Sequence, residues 1–309
     1  MSNLFNRNGA TDLRNEVLEE KQDRAHFLPV ALLNQLDEIA LKDVYVDVEL
    51  ETLLLKQAEK DIKDRSEKAN DNPDGLCRFS PSGATKCMRE LYFRFTGAEK
   101  DAAETKYPYH KRWAKNGSAV HERVQKDLLF SEKYNEINTG FKVRRTKSGM
   151  PAWENNIKRV MTIEHNGEKF QLSGMTDGFL VYEDGTTVGF EFKTKSTTVS
   201  AVGNFKLKGP ADSHTAQTVA YAIMYGVHEY LICYESLAKD GWLKGAEAKP
   251  DMRAFYHKVE EADKVELLDR FAEVTKAVRT GELPEGDLNK CLFCEYKGAC
   301  KKVGDAYAG

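Results

Sequence analysis

Two predicted β-hairpins in the middle of the chain restrict the fold more than any other feature. The first joins residues 159–164 to residues 169–173 through Asn166-Gly167, a pair favoured in tight hairpin turns. The second joins 178–182 to 187–193 through a short polar turn. Together these strands predict an antiparallel meander, which calls for a sheet with at least one buried face.

The segments around the hairpins carry helical periodicity. Helices are predicted over residues 12–70, 80–96 and 212–225, from Gly117 onward, and from just after Tyr256 to about Thr280. A loop rich in Tyr and Lys is predicted between the second helix and Asn116. An apolar strand is predicted over Tyr230–Tyr234. Mixing helices and strands in this way predicts an α/β (mixed α+β) fold with a central mixed sheet flanked by helices and an N-terminal helical extension.

The net charge of the chain differs on the two sides of the turn-forming sequence Asp71–Gly75. Residues 1–76 hold 10 lysines and arginines against 17 acids, a net charge of −7. The remaining 36 basic and 32 acidic residues lie in 77–309, which therefore carries +4. We expect an acidic helical extension at 1–76, suited to docking a protein partner or a second copy, and a mildly basic domain at 77–309.

The sequence has no apolar run long enough to cross a bilayer and no apolar signal core at its start. Six cysteines are too sparse for a secreted disulfide scaffold. We therefore expect a cytoplasmic protein without membrane attachment, in a bacterial or archaeal cell or in a host cell if the gene is viral.

The predicted strand over 187–193 contains the strongest candidates for catalytic residues. Alternation places Gly189, Glu191 and Lys193 on one face, which the glycine is expected to leave open. Asp177 precedes the partner strand and can converge on Glu191. Two carboxylates suit Mg²⁺ or Mn²⁺, and Lys193 can orient a water or stabilise phosphate charge. On these residues alone, an ordinary ion pair on a solvated face stays open.

Four ordered elements add a resemblance to a known family. Gly117-Ser-Ala-Val-His121, Gly174-Met-Thr-Asp177, Glu191-Phe-Lys193 and Gln217-Thr-Val-Ala-Tyr221 follow one another along the chain. In this order they resemble the PD-(D/E)XK nuclease superfamily, and within it RecB-type domains, Cas4 proteins, AddB-type nucleases and related viral exonucleases. The resemblance covers about residues 80–302, and phage origin is compatible with it.

The resemblance implies a restriction-endonuclease-like core and a metal-dependent DNA exonuclease. It implies Mg²⁺ or Mn²⁺ held by His121, Asp177, Glu191 and the main-chain carbonyl of Phe192, a catalytic Lys193, and a Gln217–Tyr221 pair that faces DNA or supports the lysine. Gln217 and Tyr221 are four residues apart, so they share one helical face. Each of these residues, taken alone, also fits an ordinary structural role.

A cysteine-rich tail provides a second metal-binding signal. Cys291-x2-Cys294-x5-Cys300 supplies three thiolates, which suit zinc or an iron–sulfur cluster. The resemblance implies a [4Fe–4S] cluster with Cys87 as the upstream fourth ligand. Cys77 competes for that place, and Cys233 is expected to be a buried core thiol.

Basic and aromatic residues are interleaved before and after His121. The stretch Lys100–Lys126 has seven basic residues against three acids, and such mixtures suit single-stranded nucleic acid. The DNA-binding candidates are Lys111, Arg112, Trp113, Arg144, Arg145 and Lys195. A solvated surface is the alternative for each of them.

Taken together, the sequence predicts a nuclease that hydrolyses phosphodiester bonds in single-stranded DNA or at DNA ends, during recombination, replication or repair. The alternative is a nuclease-fold subunit that binds DNA ends within a larger recombination or spacer-acquisition complex. A zinc-stabilised structural protein is the third hypothesis. The intact Asp177, Glu191 and Lys193 favour activity, because a pure binding module has no need of all three.

Overall fold

A computed structural model describes residues 7–42, 46–66, 72, 74–102, 107–134, 137 and 140–303, with the backbone alone for 7–23, 65 and 66. It has a mixed α/β architecture of sheets flanked by helices, as predicted. The helices are α1 Arg7–Ala40, α2 Val48–Ser66, α3 Met88–Phe95, α4 Pro108–Ser131, α5 Asp212–Tyr225, α6 Glu261–Thr280 and α7 Lys297–Lys302. The strands are β1 Arg78–Phe79, β2 Phe141–Val143, β3 Arg159–His165, β4 Glu168–Gly174, β5 Gly178–Tyr182, β6 Thr187–Lys195, β7 Glu229–Ser236 and β8 Met252–Lys258.

Both predicted hairpins are confirmed, but the single meander is wrong. The hairpin β3–β4 belongs to a three-stranded sheet of order β1-β4-β3, and β5–β6 belongs to a five-stranded sheet of order β2-β5-β6-β7-β8. The other edge of β4 is taken by parallel pairing with β1, where Arg78 lies opposite Gln171. Because that edge is occupied, β5 cannot pair with β4 and joins the second sheet instead.

Strand β6 lies in the centre of the five-stranded sheet, between β5 and β7. Its pairing with β7 is parallel, and α5 lies in the connection between the two strands. The predicted helix over 212–225 is confirmed, and Gly226 ends it in a left-handed conformation with φ of 70°. Tyr221 of this helix lies near Tyr230 of β7, with ring centroids 6.5 Å apart.

Two predicted helix boundaries are wrong for identifiable reasons. Residues 80–87 do not continue a helix: Pro81–Gly83 form a short 3-10 turn, and Cys87 is the residue just before α3. The predicted loop before Gly117 is also wrong in its second half, since α4 begins at Pro108 and runs through Gly117. Proline is well suited to the first turn of a helix, and an isolated glycine weakens a helix without ending it.

The described part of the N-terminal extension shares a hydrophobic core with the rest of the chain. Leu28 and Leu32 of α1 are fully buried in the same cluster as Phe190 and Phe192 of β6. Arg24 adds ion pairs from α1 to Asp184 and Glu229. The boundary near residue 76 stays a prediction, because Asp71 and Pro73 of the predicted turn lie outside the described residues. Among the described helices, none is long and apolar enough to cross a membrane.

Candidate active site

The packing of its side chains confirms the predicted alternation along β6. Val188, Phe190 and Phe192 pack into the core beneath the sheet. Glu191 and Lys193 lie on the opposite face and contact each other as an ion pair. Packing of the even-numbered residues therefore fixes the direction in which the two functional side chains point.

The expectation that Gly189 leaves this face open is wrong. A Cβ atom built at Gly189 would overlap the aromatic ring of Tyr230, which is fully buried and lies opposite it on β7. The glycine therefore provides room for a neighbouring ring rather than for a ligand. The space in front of Glu191 is bounded by that ring.

We expect Gly189→Ala to destabilise the protein by about 1–3 kcal/mol, because the added methyl group must displace the ring of Tyr230. Urea unfolding monitored by circular dichroism would measure the change. Gly209→Ala is the matched control, since nothing lies within 4 Å of its Cβ position. Equal unfolding midpoints for the two variants would contradict the steric interpretation.

Asp177 lies in the three-residue link between β4 and β5. Its Oδ2 accepts a hydrogen bond from the backbone N–H of Phe192 at 2.8 Å, and its own carbonyl accepts one from Gln125 Nε2 of α4 at 2.8 Å. Because the N–H and C=O of a strand residue point to the same side, the Phe192 carbonyl faces the same edge of β6 as Asp177. The structure thus brings together Asp177, Glu191 and the predicted Phe192 carbonyl.

His121 of α4 faces the same place. Its Nε2 lies 3.7 Å from Asp177 Oδ2, and its Nδ1 lies 3.8 Å from Oε1 of Glu154. The ring is stacked on Phe192, with centroids 5.8 Å apart and an interplanar angle of 15°. Nε2 is buried and has no hydrogen-bond partner among the described residues.

Glu191 is fully buried, and its charge is poorly compensated. Although Lys193 touches Oε1, neither carboxylate oxygen has a well-directed hydrogen-bond partner among the described residues. Burial raises the pKa of Glu191 to about 8, and the negative charge of Asp177 contributes to the rise. A buried carboxyl group with an elevated pKa and an adjacent acid is a common feature of functional sites.

The pKa of Lys193 is also raised, which for a lysine favours the charged form. Burial alone would lower the pKa of its ammonium group, but the carboxylates of Glu191 and Asp177 outweigh burial and the pKa is raised. Lys193 therefore carries a positive charge near neutral pH. A fixed cation beside two acids can hold an anionic phosphate or a water molecule at the mouth of the site.

The predicted pair on α5 also lies at this site. Gln217 Nε2 donates a hydrogen bond of 2.7 Å to the hydroxyl of Tyr221. Burial raises the pKa of Tyr221, and the charges of Glu191 and Asp177 raise it further, so the hydroxyl faces the two acids in its protonated form. The pair can therefore act as a neutral hydrogen-bond donor close to the carboxylates.

Three residues at the site were not identified from the sequence. Gln125 follows His121 by four residues, and His214 precedes Gln217 by three and Tyr221 by seven, so helical spacing could have indicated both. His214 Nδ1 lies 2.7 Å from the Tyr234 hydroxyl, and burial, followed by the charges of Lys193 and Lys195, lowers its pKa to about 4. Glu154 has no such spacing signal, because a loop leading into the short 3-10 helix Glu154–Ile157 brings it to His121.

The cysteines predicted to form a cluster are close enough to influence one another. The backbone N–H of Asp287 donates to Cys87 Sγ at 3.3 Å, which joins two places 200 residues apart. Burial raises the pKa of the Cys300 thiol; Arg89 opposes the rise, and Cys87 and Cys291 add to it. Burial likewise raises the pKa of Cys294, with contributions from Cys300 and Cys87.

The two remaining cysteines lie elsewhere. The Cys77 thiol is buried in the core with Phe79 and interacts with Thr275, and Cys233 is fully buried on β7. The structure therefore places Cys87, and not Cys77, against the C-terminal tail. All six cysteines have free thiols.

The predicted DNA-binding residues differ in how they are placed. Lys111, Arg112 and Trp113 are exposed near the start of α4. Arg144 lies over the Phe179 ring, whereas Arg145 is held by Glu132 through an ion pair of 3.0 Å. Lys195 is half-buried, with its ammonium 5.2 Å from the centroid of the Tyr234 ring.

An aromatic cluster surrounds Trp113. It consists of the rings of Tyr107, Tyr109, His110 and Trp113, with centroids of neighbouring rings 4.2–6.2 Å apart. Further along α4, a Cβ atom at Gly117 would lie 3.0 Å from Thr194 Oγ1, so the helix passes close to the end of β6. Trp113 precedes Gly117 by one helical turn, about 6 Å along the axis.

Comparison with known proteins gives partial structural likenesses. No model of a known protein family matches the sequence, and no curated protein matches it. Among solved structures, SSO0001 is similar over 83% of this chain and 97% of its own, with 14% identity and a TM-score of 0.44. An alkaline exonuclease from Laribacter hongkongensis, LHK-Exo, is similar over 68% of this chain and 93% of its own, with 16% identity and a TM-score of 0.39. The complex of LHK-Exo with dAMP gives the same identity and TM-score over 75% of this chain and 97% of its own.

Proposed function

We propose that the protein is a Mg²⁺- or Mn²⁺-dependent deoxyribonuclease that acts as an exonuclease on single-stranded DNA or DNA ends. One observation carries the proposal: the buried Glu191 faces Asp177 and Lys193 with both carboxylate oxygens lacking well-directed hydrogen bonds. A buried acid in this state is costly unless a cation or a proton compensates it. Hydrolysis of phosphodiesters with a divalent cation is the chemistry that this set of groups suits best.

The donor set fits a divalent cation. His121, Asp177, Glu191 and the carbonyl of Phe192 would hold it, and their oxygen and imidazole donors suit Mg²⁺ or Mn²⁺. Among the described residues, no group of three His, Cys, Asp or Glu is already arranged around a metal position. The support is therefore the buried Glu191 carboxylate, which lacks a well-directed hydrogen bond although it is ion-paired with Lys193, and His121 Nε2, which has no hydrogen-bond partner among the described residues. When bound, such an ion lowers the pKa of a water ligand and neutralises charge on the phosphate.

The remaining side chains would bind and orient the substrate. The Lys193 ammonium contacts Glu191 and can donate to an attacking water or a phosphate oxygen. The Tyr221 hydroxyl, held by Gln217 at 2.7 Å, stays protonated and can donate a hydrogen bond without adding charge. His214 is neutral near pH 7, so it adds no positive charge beside Lys193.

A decisive test is digestion of end-labelled single- and double-stranded DNA with Mg²⁺ or Mn²⁺, using protein purified without oxygen. We expect mononucleotides or short products from wild type and a loss of about 10²–10³-fold in rate for Lys193→Ala. Lys60→Ala, on exposed α2 surface, is the matched control. Equal cleavage by Lys193→Ala would overturn the mechanism, and DNA binding without cleavage by wild type would favour the DNA-end-binding alternative.

The exposed start of α4 is proposed to hold the incoming strand. Its aromatic rings can stack on unpaired bases while Lys111 and Arg112 face phosphates, and α4 leads from this surface to His121. We expect the triple variant Lys111→Ala/Arg112→Ala/Trp113→Ala to bind single-stranded DNA at least about tenfold more weakly, with a shallower salt dependence and an unchanged circular dichroism spectrum. Unchanged affinity in a filter-binding assay would refute this surface.

The cysteine set is proposed to bind a [4Fe–4S] cluster, with zinc as the alternative. Two of the four sulfur atoms accept backbone hydrogen bonds, Cys87 from Asp287 at 3.3 Å and Cys294 from Tyr296 at 3.4 Å, although no three of the described thiols are already arranged around a metal position. Backbone N–H groups directed at sulfur are one means by which proteins tune such clusters. The role would be structural, fastening the C-terminal tail to the start of α3.

A further inference from the structure

We infer that Glu154 is a positioning residue that sets the orientation and tautomer of the His121 ring, and that helix α2 holds Glu154 in place. This role deepens the proposed function and depends on it, because the ring orientation matters most if His121 binds the cation. It also gives the N-terminal extension a part in the active site.

The His121 ring lies between two carboxylates. Glu154 is 3.8 Å from Nδ1, and Asp177 is 3.7 Å from Nε2. Stacking on Phe192 restricts rotation of the ring. A neutral imidazole carries a proton on one nitrogen and a lone pair on the other, and a hydrogen bond at one nitrogen determines which form is present.

Only one of the two tautomers suits a metal ligand here. With the proton on Nδ1, facing Glu154, the lone pair of Nε2 points towards Asp177. With the proton on Nε2, an N–H group would occupy the place where the cation belongs. A metal-binding histidine commonly donates the N–H of its other ring nitrogen, the one that does not bind the metal, to a carboxylate. A direct hydrogen bond requires the Nδ1–Oε1 distance to shorten by about 1 Å, and a bridging water would serve the same purpose.

The backbone of Glu154 is strained, which indicates that the surrounding structure imposes its position. Its φ is +44°, in the left-handed region that residues other than glycine rarely adopt. Strain of this kind persists only where neighbouring contacts over-determine the conformation. One such contact is direct, since the N–H of Glu154 donates to the carbonyl of Thr176 at 2.9 Å, one residue before Asp177.

The other contacts come from α2. Gln57 Oε1 accepts hydrogen bonds from Trp153 Nε1 at 2.7 Å and Asn156 Nδ2 at 3.2 Å. Asp61 Oδ1 accepts one from Asn155 Nδ2 at 3.0 Å. Three neighbours of Glu154 are thus held by a single helix of the extension. Helix α2 therefore holds the segment that carries Glu154.

The test measures the His121 tautomer in the metal-free protein at a pH of about 8.5, from the ¹⁵N chemical shifts of its ring. The test variants are Glu154→Ala and Gln57→Ala. Two variants serve as controls: Gln57→Glu, which retains a hydrogen-bond acceptor for Trp153, and Lys60→Ala, which changes an exposed residue of α2. We expect a proton on Nδ1 in wild type, Gln57→Glu and Lys60→Ala, and a shift towards Nε2 in the two alanine variants. Titration with Mn²⁺ alone should show affinity about 10–100-fold weaker for Glu154→Ala.

The outcomes separate this role from the proposed function. A proton on Nε2 in wild type, or the same tautomer in wild type and Glu154→Ala, would overturn the role of Glu154 whatever the metal affinity. Absence of Mn²⁺ binding by wild type, with the expected tautomers, would overturn the proposed function and leave the positioning of His121 intact. A change of the His121 tautomer in Glu154→Ala but not in Gln57→Ala would contradict the inference that α2 holds Glu154 in place.

Discussion

Replacing Glu191 with glutamine is expected to abolish metal-dependent DNA cleavage and, in the metal-free protein, to flatten the dependence of stability on pH. The loss of rate should reach about 10²–10³-fold or more, because glutamine removes both a metal-binding oxygen and the charge that attracts the cation. Wild type should be stabilised by added Mn²⁺ in a thermal unfolding assay, and the variant should not.

The sign of the pH effect follows from the raised pKa. Unfolded Glu191 loses its proton near its ordinary pKa, whereas the folded protein retains it until the pH reaches about 8. Between these values the folded state binds more protons, so wild-type stability falls as the pH rises. A glutamine cannot lose a proton, and the variant should lack this part of the decline between about pH 5 and pH 9.

Glu235→Gln is the matched control. Glu235 is also buried, on the adjacent strand β7, but it is paired with Arg123 at 2.5 Å and Lys239 at 2.7 Å. Glutamine at this position should destabilise the protein by about 1–3 kcal/mol and leave cleavage intact. An Mn²⁺-induced stabilisation of Glu191→Gln equal to that of wild type would contradict the assignment of Glu191.

Replacing Cys87 with alanine is expected to remove the brown colour of protein purified without oxygen and to lower the melting temperature. The cluster would close a loop of about 200 residues between Cys87 and the tail, a constraint worth a few kcal/mol, or roughly 10 °C in Tm for a chain of this size. Iron and sulfide analysis, the visible spectrum and calorimetry would measure the loss.

Cys77→Ala separates the two candidate ligands. The Cys77 thiol lies in the core beside Thr275, so this variant should lose some stability by losing packing while retaining iron. Iron retained by Cys87→Ala and lost by Cys77→Ala would reverse the assignment. A colourless wild-type protein that contains zinc would replace the iron–sulfur proposal with the zinc alternative.

The sequence was most informative where local chemistry and tertiary structure agree. Asn166-Gly167 forms the predicted hairpin turn, and alternation along β6 correctly separates Glu191 and Lys193 from Phe190 and Phe192. Both features depend on neighbours within a few residues. They could therefore be predicted without knowing how the rest of the chain folds.

The features that were missed depend on distant contacts. Nothing near Gly189 in the sequence indicates that the ring of Tyr230 will fill the space above it. Parallel pairing of β1 with β4, which divides the hairpins between two sheets, joins residues more than 90 positions apart. Glu154 reaches His121 through a strained loop whose position depends on Gln57. The positions of these residues depend on tertiary packing, and the periodicity of the sequence carries no information about contacts between distant segments.

The alternation along β6 has a consequence for sequence variation. The strand consists of two interleaved sets of residues, one packed in the hydrophobic core and one carrying charged side chains. A change at Phe190 alters the packing of the core, and a change at Phe192 also alters the stacking on His121, while a change at Glu191 or Lys193 alters the charged face. Related chains could therefore vary Phe190 together with the other residues of its core cluster and keep the same charged groups.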